Sequence, residues 1–215
     1  MTSHEDAEAY FATRLTYDKK RDVLWQTLTR EFFSQYIDPG DTVVELGAGW
    51  CDFINNVDAK RRIAVDLWPG ISERVGPGVE AMVSSATDLS GIETNTVNVV
   101  FASNLLEHLT HEQIDELLDH ARRILVPGGR LILVQPNYRL CAKNYFDDFT
   151  HVSVWSDIGM STFLESRGWQ LEQVQGRFLP LTVKSRLPVS SKLISAYLRS
   201  PIKPLAGQML LIAKA

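Results

Sequence analysis

The chain has 215 residues, 45% of them hydrophobic, and a formal net charge of -4. That length suits one domain with a sizeable core; the composition excludes disorder, and the acidic balance argues against a nucleic-acid partner. No apolar run reaches the ~18 residues of a membrane span. Two cysteines exclude a disulfide framework, and the polar start Met1-Thr2-Ser3-His4 has no signal-peptide pattern, so a reducing, cytoplasmic setting is expected.

In chain order, residues 1–40 form a helical cap with one helix over Lys19–Tyr36, ending at the turn Asp38-Pro39-Gly40-Asp41. Short apolar runs then alternate with helical patterns, as a parallel α/β sheet requires. Strands are predicted at Thr42–Leu46, Ile63–Asp66, Glu80–Ser84, Val97–Ala102, Arg130–Gln135, Trp169–Gln175 and Gln208–Ala213. Thr110 and Gln113 form a capping box opening a helix with Ile114, Leu117, Leu118, Ala121 and Leu125 on one face. Pro127-Gly128-Gly129 turns that chain into the next strand, and Ser156–Arg167 reads as a further helix. Residues 177–207 break the alternation with four prolines and a helical pattern over Val189–Arg199, an insertion before the last strand. From Gln173 onward the chain carries seven Lys and Arg and no Asp or Glu, which suits an anionic partner or the surface of a membrane. A lid packed on the domain with solvated lysines accounts for the same pattern.

The run Val43-Val44-Glu45-Leu46 enters Gly47-Ala48-Gly49, where glycines let backbone approach a ligand closely. Asp66 ends the second strand, where a carboxylate can accept the hydroxyl hydrogens of a ribose. A dinucleotide site prefers a third glycine at the position of Asp52, so a nicotinamide oxidoreductase is disfavoured. Glu45 places negative charge beside the ligand, which suits a cationic sulfonium better than a phosphate. A plain tight turn remains the alternative for the glycines alone.

Several motifs in order carry a resemblance. Glu45–Gly49, Asp66, Asn98–Leu109 and Pro127–Leu131 are similar to the successive motifs of the seven-stranded S-adenosylmethionine (SAM) methyltransferases, over about residues 41–137 and again at the last two strands. The resemblance implies a three-layer Rossmann-like α/β fold with a seven-stranded, mostly parallel sheet and an antiparallel last strand. It also implies SAM as cofactor. Gly47, Ala48 and Gly49 would line its methionine part, with Glu45 and Asn104 beside them. Asp66 would hold the ribose, and Leu67, Ser85, Ala86 and Thr87 would flank the adenine. Ser85 stands where the family often has Asp, with Asp88 as a substitute.

For the chemistry, Glu107 and His108 follow the fourth strand, and His151 lies in the loop Phe146-Asp147-Asp148-Phe149-Thr150-His151 after the fifth. An imidazole titrating near ~6.5 can take a proton from a hydroxyl nucleophile, so His108 and His151 are candidate bases; helix-start packing is the alternative for His108. Tyr145, Asp148 and Asn137 are candidate acceptor contacts, as are Tyr17 and Arg21 from the N-terminal helix; Arg21 suits a cofactor carboxylate or simple solvation. Asn104–His108 with His151 is also similar to the metal-binding pattern of small-RNA 2′-O-methyltransferases and some quinone-precursor O-methyltransferases. That makes Glu107, His108 and His151 candidate metal ligands. Asn104 in the first ligand position lowers charge and affinity, so metal-free chemistry is the expectation. The resemblance to bacterial enzymes of saccharide and envelope biosynthesis implies O-methylation of a small molecule, saccharide or nucleotide sugar. A non-catalytic SAM-binding protein is the rival class.

Overall fold

The computed structural model describes residues 4–13, 17–181 and 190–215. Seven strands form one sheet: β1 Thr42–Leu46, β2 Arg61–Asp66, β3 Val79–Val83, β4 Val97–Ser103, β5 Leu125–Pro136, β6 Gln170–Gln175 and β7 Gln208–Lys214. Their order is β3-β2-β1-β4-β5-β7-β6; β7 runs antiparallel to both its neighbours, and the others pair in parallel. This is the α/β architecture expected from the sequence, strand for strand.

The strands alternate between two cores because successive side chains point to opposite faces. Val44, Leu46, Val100, Leu131 and Leu133 enter a cluster covered by α3 (His111–Ile124) and α5 (Asp157–Ser166). Val43, Val99, Phe101, Ile132 and Val134 enter the other, covered by α2 (Lys19–Glu31) and the 3-10 turn Phe33–Gln35. Phe101 stacks on Phe53 with centroids 3.7 Å apart, and Trp25 and Phe33 pack edge-on against it. Phe101→Ala should therefore cost about 3–5 kcal/mol in chemical denaturation; a loss near zero would mean this second cluster is not packed as described.

Local chemistry sets the helix ends. Thr110 and Gln113 form the predicted capping box at α3, and Ser156 caps α5 through the Gly159 amide. The helix expected over Lys19–Tyr36 stops at Glu31, because the aromatic side chains of Phe32 and Phe33 turn into the core through a tighter 3-10 turn. The chain enters β5 directly at Leu125, earlier than expected, and Pro127-Gly128-Gly129 forms an irregular stretch within that strand, with Gly128 at φ 79°.

In the insertion, α6 covers Ser191–Arg199 with Ser190 as its cap; Val189, expected to start this helix, lies outside the described residues. Tyr197 and Leu198 pack against the second core, while Leu193 is left exposed. Arg199 reaches Glu31 of α2. Tyr197 and Leu198 thus turn the C-terminal part of the α6 stripe toward the domain. α1 (His4–Thr13) precedes α2, and the short α4 spans Tyr138–Cys141.

Candidate active site

The strand order reverses direction between β1 and β4, and the carboxyl ends of these two strands open the crevice in which such sheets bind ligands. A cavity of about 140 Å³ lies there. β1 delivers Glu45 and the Gly47–Gly49 loop, β2 delivers Asp66 and Leu67, and β4 delivers Ser103 and Asn104.

The glycine loop needs its glycines. Gly47 and Gly49 adopt φ 64° and 53°, and a Cβ on Gly47 would sit 2.8 Å from a methyl carbon of Leu105. Asp66 is tied to this loop: its Oδ2 accepts from the Gly49 amide at 2.8 Å and its Oδ1 from the Trp68 amide at 2.8 Å. The Leu67 amide is a third backbone donor, so of its roughly four acceptor sites the carboxylate keeps about one for a further donor. Burial pushes its pKa up while these backbone bonds hold it down. Glu45 accepts from the Ile54 amide at 3.0 Å, and burial raises its pKa well above the usual carboxylate range.

Arg21 also lines the cavity, but as the partner of Asp52, at 2.6 Å. Asp52, Trp50 and Tyr10 belong to the lining as well and went unrecognised in the sequence. Trp50 packs edge-on against Trp68, and the Arg74 guanidinium lies over its ring at 4.7 Å. Tryptophans directly after the glycine loop and directly after Asp66-Leu67 were the available signal.

Of the residues expected to flank the adenine, Ser85 and Ala86 line the cavity and Thr87 is not among its lining. The Ser85 and Thr87 hydroxyls bond each other at 2.9 Å, closing a local turn. Asp88 is no substitute for the missing acid: it is exposed and caps the Ser90 amide. Asn104 lines the cavity at φ 50°, and its side-chain oxygen accepts from Gln208 of β7 at 2.7 Å.

Three of the proposed acceptor contacts have other employment. Tyr17 is half-exposed, donates to Asp22 and stands outside the lining. Asn137 is buried; its amide donates to Asp157 and to the Gly176 carbonyl, bracing the ends of β5 and β6. Tyr145 is buried beneath its loop, donates to the Ser153 carbonyl at 2.6 Å and supports the His151 ring at 4.5 Å.

Asp148 takes part instead in a chain of bonds that ends on His108. The Thr150 hydroxyl donates to Asp148 Oδ1 at 2.6 Å and so spends its single hydrogen. At its 2.9 Å contact with His108 Nδ1 the same hydroxyl must then accept, which places the ring hydrogen on Nδ1 and leaves a lone pair on Nε2. That Nε2 lies 4.0 Å from Glu107 Oε1, and the His151 ring packs edge-on at 4.9 Å. The ligand atoms of Glu107, His108 and His151 all lie within 4.8 Å of one another. Glu107 Oε2 is buried and finds no hydrogen-bond partner among the described residues. Burial pushes Glu107 up to about 8, and burial followed by the neighbouring His151 pushes His108 down to about 4. His108 is therefore neutral throughout the neutral range.

Residues 44–133 match a family model described as a methyltransferase domain. No curated protein matches the chain. A SAM-dependent methyltransferase from Archaeoglobus fulgidus shares the fold at TM-score 0.66 and 20% identity, over 91% of this chain and 94% of that one. A possible histamine N-methyltransferase from Thermotoga maritima does so at 0.65 and 16%, over 98% and 94%. Geranyl diphosphate C-methyltransferase from Streptomyces coelicolor, solved with Mg2+, its substrate and S-adenosylhomocysteine, does so at 0.58 and 16%, over 86% and 77%. Fold and matched segment agree: the chain has the fold shared by these SAM-dependent methyltransferases, and residues 44–133 match a methyltransferase domain, which makes SAM the cofactor to test against the cavity.

The cavity suits that cofactor. Gly47 offers a surface that a Cβ would fill, Asp66 offers an acceptor for a ribose hydroxyl, and Glu45 offers a carboxyl group near the cationic part.

Proposed function

We propose that the protein methylates a hydroxyl oxygen on a small molecule or saccharide, nucleotide sugars included, and that His108 takes the hydroxyl proton. The observation that carries this reading is the Asp148–Thr150–His108 chain, which aims an uncharged Nε2 lone pair at the cluster beside the cofactor cavity.

The bound cofactor supplies an electrophilic methyl group on a sulfonium. The chain's own residues do the rest. The glycine loop and Asp66 fix the donor's position, so that the acceptor oxygen can approach in line. His108 is too weak a base, at about 4, to strip a hydroxyl beforehand. It suffices as the C–O bond forms, because the attacking oxygen then becomes strongly acidic and passes its proton to Nε2. Asp148, acting through Thr150, favours the imidazolium that results.

A second reading has its own support. Glu107, His108 and His151 offer one oxygen and two nitrogens at mutual distances that a small closure converts to a first-row divalent metal site, and Glu107 Oε2 is buried without a bond. There His108 Nε2 would ligate the ion, which would polarise the hydroxyl in place of a base. Metal analysis of purified protein, with turnover before and after chelation, separates the two. Full turnover of metal-free protein is the expected result, and activity restored only by a divalent ion would replace the base reading with the metal one.

A further inference from the structure

Six large apolar side chains among the described residues are exposed by 60% or more, and all six lie on two segments at one edge of the sheet. Phe146 (60%), Phe149 (80%), Val152 (60%) and Ile158 (61%) follow β5, while Ile202 (75%) and Leu205 (82%) precede β7. Because β7 is antiparallel to β5, its start meets the end of β5: Gln208 pairs with Pro136. An open cleft of about 810 Å³ joins the two segments, with Arg139 and Asp157 on one side and Ser200, Pro201 and Lys203 on the other. Scattered single exposed apolar residues need no explanation; a concentration of the most exposed ones does.

Leu205 adds a conformational oddity. It adopts φ 57°, a left-handed backbone that a branched side chain disfavours, and in doing so holds its side chain in solvent. The charge around the patch is mostly positive. Arg139, Lys143 and Arg177 are exposed, and Lys203 sits part-buried with its ammonium on the Tyr197 and Leu198 carbonyls. Three acids lie nearby and leave an excess of one positive charge: Asp157 pairs with Arg139, while Asp147 and Asp148 bond the neutral Asn144 and Thr150 and keep their charge.

We infer that this edge docks on an anionic phospholipid surface, with Phe149, Ile202 and Leu205 entering the interface and Lys143 and Arg177 meeting the headgroups. Exposed apolar side chains with a small excess of positive charge, and with Lys143 and Arg177 exposed, match a negatively charged lipid surface in both respects. A second copy of the chain placed there about a two-fold axis would set these cations against their own kind. Docking on this edge is independent of the methyl-transfer chemistry. It would set the loop that carries His151 at the lipid boundary.

Co-sedimentation of the full chain with phosphatidylcholine vesicles, with and without phosphatidylglycerol, tests this directly. The protein should pellet with the anionic vesicles and at least about tenfold less with neutral ones. Salt at about 1 M, where the Debye length falls to about 3 Å, should release most of it. The combined variant Phe149→Ser, Ile202→Ser and Leu205→Asn should lose at least about tenfold in binding. Its SAM binding and thermal midpoint should stay unchanged, asparagine being tolerated at a left-handed position. Failure to pellet with anionic vesicles overturns the inference, as does a folded triple variant that pellets like the parent. Sedimentation of the free protein as a dimer that the triple variant dissolves would assign the patch to a second copy instead. None of these readouts depends on turnover, so a failed methylation assay leaves this test intact.

Discussion

Asp66→Ala is expected to weaken SAM binding by about a hundredfold or more in calorimetric titration. If Asp66 holds the ribose, a hydroxyl bond to a carboxylate, worth about 1.5 kcal/mol or more, is at stake together with the order of the loop, and about 1.4 kcal/mol corresponds to a factor of ten. The variant also removes the acceptor for the Gly49 and Trp68 amides, so the loop that cradles the donor loses its anchor. Asp66→Asn, which keeps one acceptor oxygen, should fall between the two. An alanine variant that binds SAM as tightly as the parent would show that the ribose sits elsewhere.

Replacing His108 with glutamine should lower kcat by about two to four orders of magnitude, the range for loss of a positioned general base. SAM affinity should change little, since the proposed reading has the donor held by the glycine loop and Asp66. Thr150→Val tests the same geometry one step removed. It deletes the hydroxyl that fixes the His108 tautomer and leaves the ring in place, so kcat should fall by less than in the glutamine variant with KM little altered. A glutamine variant with undiminished kcat would retire His108 as the base and return it to the role of a packed residue at the start of a helix.

The sheet was legible because its signals are local. β-branched runs bounded by Gly, Pro and Asp mark each strand, and the capping box at Thr110 fixes a helix end to the residue. The donor half of the site was legible for the same reason: Glu45, the glycines and Asp66 lie at strand ends, where position in the chain dictates position in space. The acceptor half depends on contacts that no spacing encodes. Tyr10 reaches Asp148 across 138 residues, and Thr150 reaches His108 across 42. Asn137 and Tyr145 are polar residues in the right neighbourhood, and only the structure shows their polar atoms already committed to Asp157, Gly176 and Ser153. Glu107 and His151 were recognisable as types, whereas their approach to His108 depends on how the loop after β5 folds back across β4.

α1 has a consequence for timing. Its Tyr10 ring lies edge-on to His108, with centroids 5.7 Å apart, and its hydroxyl reaches Asp148 at 3.3 Å. The cavity it helps to line, at about 140 Å³, is well below the roughly 300–1,000 Å³ of small-molecule sites. Donor and acceptor therefore cannot both enter while that helix stays where it is. Displacement of α1 is therefore the expected opening step, and collective motions of this kind run on microsecond-to-millisecond clocks. A ten-residue segment far from every recognisable motif thus stands as the door to the crevice, and if His108 is the base, the rate of its opening would cap turnover however fast the proton moves.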